Sequence, residues 1–422
     1  MYLSLREGRK TEGPAGGSGR VAGTVLLLGL VSLLTDVSSE SVAAVLPLYL
    51  TGALGLSPLA YGFVDGVYQG ASAVVRILGG WLADRGDHPK WVAVGGYGLS
   101  ALTRLALLAV SGFAAVTAVV TVDRLGKGLR TAPRDAMIMA ASDDATLGRA
   151  FGTHRALDTV GAAIGPLLAF VVLWQLPDSY HSVFVVSFAF AVVGLAVLVL
   201  AVPDLRPRRS RARGPASTPT PAPRPSLRLL RDPRLARLLL AAAVLGLLTV
   251  GDGFLYLSLQ QRDDLATAWF PLLYVGTNLA YLALAIPLGR LGDRVGRAKV
   301  FLLGHVALLA SYLAAAGPVG GATTLLCLLL LGTYYAATDG ILAALSGRLT
   351  HPDVRASGIA TAQTVQALAR FASSLLFGLL WFTLGRTPAL LVVAAALLVA
   401  LLALGRLVLR LDRGGAAPVA TP

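Results

Sequence analysis

The sequence predicts an all-α integral membrane protein, with twelve transmembrane helices in two pseudo-symmetric halves of six. Three observations carry that prediction. Many apolar stretches exceed the roughly 18 residues that mark a membrane span. One loop motif occurs twice, as Gly80-Trp81-Leu82-Ala83-Asp84-Arg85-Gly86 and as Gly289-Arg290-Leu291-Gly292-Asp293-Arg294-Val295-Gly296-Arg297, each copy between long apolar segments. Between the copies, near 203–236, lies a Pro- and Arg-rich stretch that cannot bury a core. Duplicated helix bundles rock about a central site in many transporters, so the repeat bears on function as well as fold.

Composition narrows the classes. Of 422 residues, 55% are hydrophobic and only 14% charged, where soluble domains carry about 25% charged residues. With the bilayer as solvent, the backbone must be helical or a closed barrel. Uninterrupted apolar runs such as Leu390 to Leu404 exclude the alternation of barrel strands. The net charge of +14 does not imply nucleic acid, because the basic residues fall in alternate loops, as positive-inside retention produces. Cys327 is the only cysteine, which excludes an intrachain disulfide and a cysteine metal site.

Taken in chain order, residues 1–21 form a basic tail. The segment from Thr24 to Leu50 holds Asp36 and Glu40, is too long and too polar for a cleaved signal peptide, and reads as span 1. The spans lie near 22–50, 59–82, 92–112, 114–140, 149–173 and 182–202, then 237–259, 268–290, 299–316, 320–346, 357–384 and 387–411. The linker 203–236 divides an N-terminal half, 22–202, from a C-terminal half, 237–411, and a short tail, 412–422, closes the chain. Basic residues collect in the tails, the linker and the loops after even-numbered spans, while the other loops hold only Arg262 and Arg386. That asymmetry puts both termini in the cytoplasm of a bacterial-type inner membrane.

The two copies, Gly80…Asp84-Arg85…Lys90 and Gly289…Asp293-Arg294…Gly296-Arg297, resemble the signature loop of the major facilitator superfamily between helices 2 and 3 and its repeat between helices 8 and 9. The first copy has Asp87-His88-Pro89 where a Gly-Arg pair is usual. Arg124-Leu125-Gly126-Lys127-Gly128 resembles the superfamily's helix-4 motif, with Lys in place of Gln. Gly152, Gly161, Gly165 and Pro166 resemble its antiporter motif, with Ala169-Phe170 replacing the closing glycines. Thr35 to Glu40, Asp123 to Asp135 and Gly148 to Pro166 resemble a bacterial subgroup. The resemblance implies the superfamily fold, secondary transport and, through the antiporter motif, exchange of substrate for protons.

Charges inside the hydrocarbon are costly, which makes each a functional candidate. Asp36 and Glu40 share one face of span 1 by i,i+4 spacing, and one of two neighbouring carboxylates can hold a proton. His154 and Asp158 share a face of span 5, so a relay and a structural salt bridge to a span-4 arginine are both open. These four are the proton-coupling candidates. Arg124 and Lys127 form a basic stripe on span 4 that suits an anionic or zwitterionic substrate. Asp123, within reach of Lys127, and Arg370, mid-span in span 11, complete the substrate-cavity candidates. Gly80, Asp84, Arg85 and Asp135, with Gly289, Asp293, Arg294 and Arg297, read as gating elements, Arg85 pairing with Asp135. Gly152, Gly161, Gly165 and Pro166 read as a packing surface between the halves and a hinge.

No phosphate-cradling loop, HExxH, EF-hand or Cys/His cluster occurs, so no cofactor, metal or enzymatic chemistry is expected. The expected partners are a small-molecule substrate, protons and the lipid bilayer, and a monomer suffices. The leading expectation is proton-coupled export by alternating access. Uptake by symport or uniport stays open. A non-transporting receptor or assembly protein is a third reading, against which the two gate motifs argue.

Overall fold

The computed structural model describes residues 22–85, 88–143, 146–204, 232–350 and 355–413, with side chains described in 22–71, 88–143, 146–204, 232–350 and 357–410. The first six helices are α1 (Gly23–Leu48), α2 (Pro58–Arg85), α3 (Pro89–Ala109), α4 (Phe113–Ala140), α5 (Leu147–Gln175) and α6 (Tyr180–Leu200). They are followed by α7 (Pro233–Leu247), α8 (Asp252–Asp263), α9 (Phe270–Val295), α10 (Arg297–Ala316), α11 (Gly321–Leu349), α12 (Arg355–Leu384) and α13 (Arg386–Arg413). Among the described residues, ten helical segments have the length and hydropathy of membrane spans. α4 falls outside that set because it carries Asp123, Arg124, Lys127, Arg130, Arg134 and Asp135. The chain is a multi-pass integral membrane protein. The face where α1 begins and α13 ends is called the terminal face, and the face where α1 turns into α2 the hairpin face.

Two helices depart from regularity for identifiable reasons. Pro47 lacks an N–H and crowds the turn before it, and α1 widens into a π-helical turn at Tyr49–Ala53. The Leu54 amide donates to Tyr49 O at 2.9 Å, and Gly55, at φ 61°, ends the segment. Span 7, expected to be continuous over 237–259, is broken into α7 and α8 at Leu248–Gly251. Inside a membrane, freed backbone groups need replacement partners. They find them here: the Val250 amide donates to Tyr312 Oη at 2.8 Å, Tyr312 donates to Leu248 O at 2.9 Å, and Ser373 donates to Thr249 O at 2.7 Å. α7 begins at Pro233, with the Asp232 carboxylate accepting from the Arg234 and Leu235 amides.

The packing shows the internal symmetry. In the first half α1 packs on α5 and α6, α2 on α4, and α3 on α4 and α6. In the second half α7 packs on α12 and α13, α9 on α11, and α10 on α11 and α13. Each contact has its counterpart six spans later. Between the halves, α2 packs on α12 and α5 on α9, which are again symmetry mates. The described side-chain contacts between halves cluster toward the hairpin face. Tyr61 lies edge-on to Phe254 at 4.7 Å, Trp174 meets Trp269 at 5.7 Å, and Thr267 donates to Asp178 at 2.8 Å.

Candidate functional site

A cavity of about 220 Å³ lies between the halves. On one wall stand Glu40 of α1 and Tyr61, Asp65, Tyr68 and Gln69 of α2; on the other stand Asp252 of α8 and Tyr274 and Asn278 of α9. Positions 61, 65 and 68 form one stripe of α2 because they follow helical i, i+4, i+7 spacing. Asp252 opens α8 directly after the break, so the interruption of span 7 places a carboxylate at the cavity. Ser374 of α12 donates to Asp65 at 2.6 Å, tying the two halves together, and Tyr335 donates to Asp252 at 2.5 Å. The lining contains three carboxylates and no lysine, arginine or histidine among the described residues.

The span-4 charges are not on this cavity. Asp123 is buried in an ion-pair cluster, accepting from Arg124 at 2.5 and 3.2 Å and pairing with Arg104 at 3.0 Å. The expected reach from Asp123 to Lys127 is therefore replaced by two guanidiniums, whose planar forks match a carboxylate better. Arg124 stacks on Tyr68, 3.9 Å from the ring centroid, with the ring between it and the cavity wall. The void beside Asp123 and Arg124 measures about 20 Å³, room for a single water. Lys127 lines none of these spaces; it is instead one of the cations nearest Asp36. Arg370 sits behind the aromatic pair Tyr334 and Tyr335, donating to Tyr334 Oη at 3.3 Å, in a crevice too tight for a ligand. The expected basic stripe facing substrate is thus corrected: the cations stand one layer back and the carboxylates stand in front.

One turn closer to the terminal face, the Asp36 carboxyl lies within hydrogen-bonding reach of the Asp158 carboxyl on α5. Ser32 donates to Asp158 at 2.9 Å, Arg155 approaches it at 3.5 Å, and Arg134 stands 4.0 Å away. Arg134 also donates to Asp135 at 3.1 and 3.2 Å. The span-4 arginine that stands near Asp158 is Arg134, and Asp36 stands beside the same carboxylate. His154 is buried beside it, with Nε2 lacking a hydrogen-bond partner among the described residues. Glu40, one turn further on, lines the cavity.

Gly161 and Gly165 do pack closely, but on α1 of their own half rather than between halves. A Cβ at Gly161 meets Leu33 Cα at 2.9 Å, and one at Gly165 meets Glu40 Cβ and Ser41 N at 2.8 Å. The spacing revealed a small-residue face without naming the helix it fits. Pro166 is buried next to them, while Gly152 faces open space and packs on nothing. The side chains of Gly80, Asp84 and Arg85 lie outside the described residues. Lys90 donates to Val199 O at 2.8 Å and Val202 O at 2.7 Å, capping the end of α6. In the second copy Arg297 donates to Asp293 at 2.9 and 3.2 Å, Gly289 has no neighbour within 4 Å, and no partner of Arg294 is seen among the described residues.

Tyr61 and Asp65 are not among the candidates singled out from the sequence. The 61/65/68 stripe was the available signal. Asp252 is not among those candidates either; its flanking glycines, Gly251 and Gly253, are the local sign of a break.

Known proteins resemble most of the chain. The family model described as Major Facilitator Superfamily matches residues 28–374. An uncharacterised MFS-type transporter of Methanocaldococcus jannaschii is 30% identical over 363 residues, covering 85% of this chain and 88% of the relative. The crystal structure of the nucleoside transporter NupG superposes with a TM-score of 0.78 at 15% identity, covering 91% of this chain and 98% of that one. A variant of the peptide transporter POT superposes with a TM-score of 0.77 at 17% identity, covering 95% and 97%. At those identities the two structures speak for the fold alone.

Proposed function

The chain belongs to the major facilitator superfamily and is a secondary transporter, and we propose that it exports a small organic molecule in exchange for protons by alternating access. The cavity shared by α1, α2, α8 and α9 supports this reading most directly, because every wall that a rocking motion parts contributes to it. The residues 22–202 and 237–411 are the moving halves and 203–236 the tether. The basic loops put both termini in the cytoplasm of a bacterial-type inner membrane and the hairpin face outside. The loop motifs around Asp84, Arg85 and Asp135, and around Asp293, Arg294 and Arg297, are the gate on the terminal face.

The proton site is the Asp36–Asp158 pair. Two neighbouring carboxyls can share one proton between them. When it leaves, two adjacent charges remain, which at about 4 Å and an effective dielectric near 20 repel by about 4 kcal/mol. Lys127, Arg130, Arg134 and Arg155 surround the pair and bound that repulsion. Asp36 is one helical turn from Glu40, and Gly165 fits against Glu40. A shift of α1 against α5 on proton loss is therefore transmitted directly to the cavity wall.

The test is flux in proteoliposomes with a trapped pH dye, adding pools of organic cations, organic anions and sugars separately. Substrate-dependent proton movement is expected in the wild type and is expected to vanish in Asp36→Asn. Proton movement retained in the variant would remove Asp36 from the role. Substrate flux without proton movement would overturn the coupling.

A further inference from the structure

The cavity's chemistry selects among ligands. Glu40, Asp65 and Asp252 face the space, and no basic side chain does. The cations nearest the lining, Arg124 and Arg370, are held behind Tyr68 and Tyr335. Arg124 is further engaged by Asp123, which also takes Arg104, and Arg370 faces Asp339 from its other side. Five carboxylates therefore surround this region against three guanidiniums.

A second observation is independent of charge. Tyr61 is only 3% exposed, and its hydroxyl lines the cavity with no hydrogen-bond partner among the described residues. The charges nearest it are Asp65 and Asp252. That hydroxyl can accept from a ligand's N–H beside the two carboxylates. The aromatic faces of Tyr61, Tyr68 and Tyr274 suit a cation as well. Leu46, Leu50 and Val64 form an aliphatic stretch of the wall, to which Gln69 and Asn278 add two amides. The volume of about 220 Å³ has room for several waters, and so for a small ring with one charged group.

We propose that this cavity takes a small amphiphilic organic cation, its ammonium group between Asp65 and Asp252 in reach of the Tyr61 hydroxyl, and its apolar body against the aliphatic wall. The proposal rests on the reading of the cavity as the transport site. It departs from the expectation of an anionic or zwitterionic substrate, because Arg124, which suggested one, is screened from the space by the Tyr68 ring. Asp65 also holds Ser374 across the halves, so the ligand that draws on Asp65 acts at the contact that joins them.

The test is binding to detergent-purified protein at neutral pH, followed by calorimetry, with three probes of one size: benzylammonium, benzyl alcohol and benzoate. Benzylammonium is expected to bind at least tenfold tighter than either of the others. Asp65→Asn and Asp252→Asn are each expected to weaken it at least tenfold, and Tyr61→Phe, which keeps the ring, severalfold. Equal binding of the three probes, preference for benzoate, or no binding of benzylammonium overturns the proposal on wild-type protein alone, whatever the variants do. These outcomes are read without transport. A failed ligand class thus leaves the flux test standing, and failed flux leaves the binding preference measured.

Discussion

Replacing Gly378 with leucine bears on how the two halves part. A Cβ at Gly378 meets Pro58 O at 2.7 Å and the Cα atoms of Gly62 and Leu59 at 3.2 and 3.3 Å. Those are backbone atoms of α2, which no rotamer change can move. Over-packing of this kind costs about 1–3 kcal/mol. The contact joins α12 of one half to α2 of the other near the hairpin face, so the cost falls on the conformation that is closed there. The population open at the hairpin face should therefore rise by about 5- to 150-fold relative to the closed one. Spin labels at Leu176 and Val319, both exposed at the hairpin face on opposite halves, report this by pulsed dipolar spectroscopy in nanodiscs. The variant is expected to gain a longer-distance population. Gly405→Leu, at a position with nothing within 4 Å, is expected to match the wild type. An unchanged distance distribution in Gly378→Leu refutes the reasoning, since the clash would then be absorbed without parting the halves.

Two further outcomes follow from buried polar groups. Asp123→Asn leaves Arg104 and Arg124 buried without their shared carboxylate, which should cost about 3–5 kcal/mol of stability; an unchanged thermal unfolding midpoint would contradict it. Tyr312→Phe removes the hydroxyl that bridges Leu248 O and the Val250 amide, at about 1–3 kcal/mol. Hydrogen exchange should then quicken at residues 248–251, and unaltered protection there would argue that the break is held by other groups.

Much of the fold was legible in the sequence because lipid enforces it. Each expected span overlaps a helix of the structure or, for span 7, a broken pair of helices, since crossing a bilayer takes a helix of about twenty residues. The rotation of each helix was not legible. Hydropathy does not say whether Arg124 faces a cavity or a neighbouring ring, and here Tyr68 lies between. Asp36 and Asp158 were each visible as intramembrane charges, but their meeting depends on Gly161 and Gly165 letting α5 lie against α1. The break that brings Asp252 to the cavity depends on Tyr312 and Ser373, which are distant in the chain and give no local signal beyond Gly251 and Gly253.

The most direct measurement of alternating access uses a single cysteine at Ala43, a cavity-lining position, with the buried Cys327 replaced by serine. A membrane-impermeant thiol reagent would be applied to sealed vesicles of each orientation. Labelling from both faces is predicted, with Gly378→Leu raising the rate from the hairpin face. Labelling from one face alone, in wild type and variant alike, would contradict a cavity that opens alternately to the two sides of the membrane.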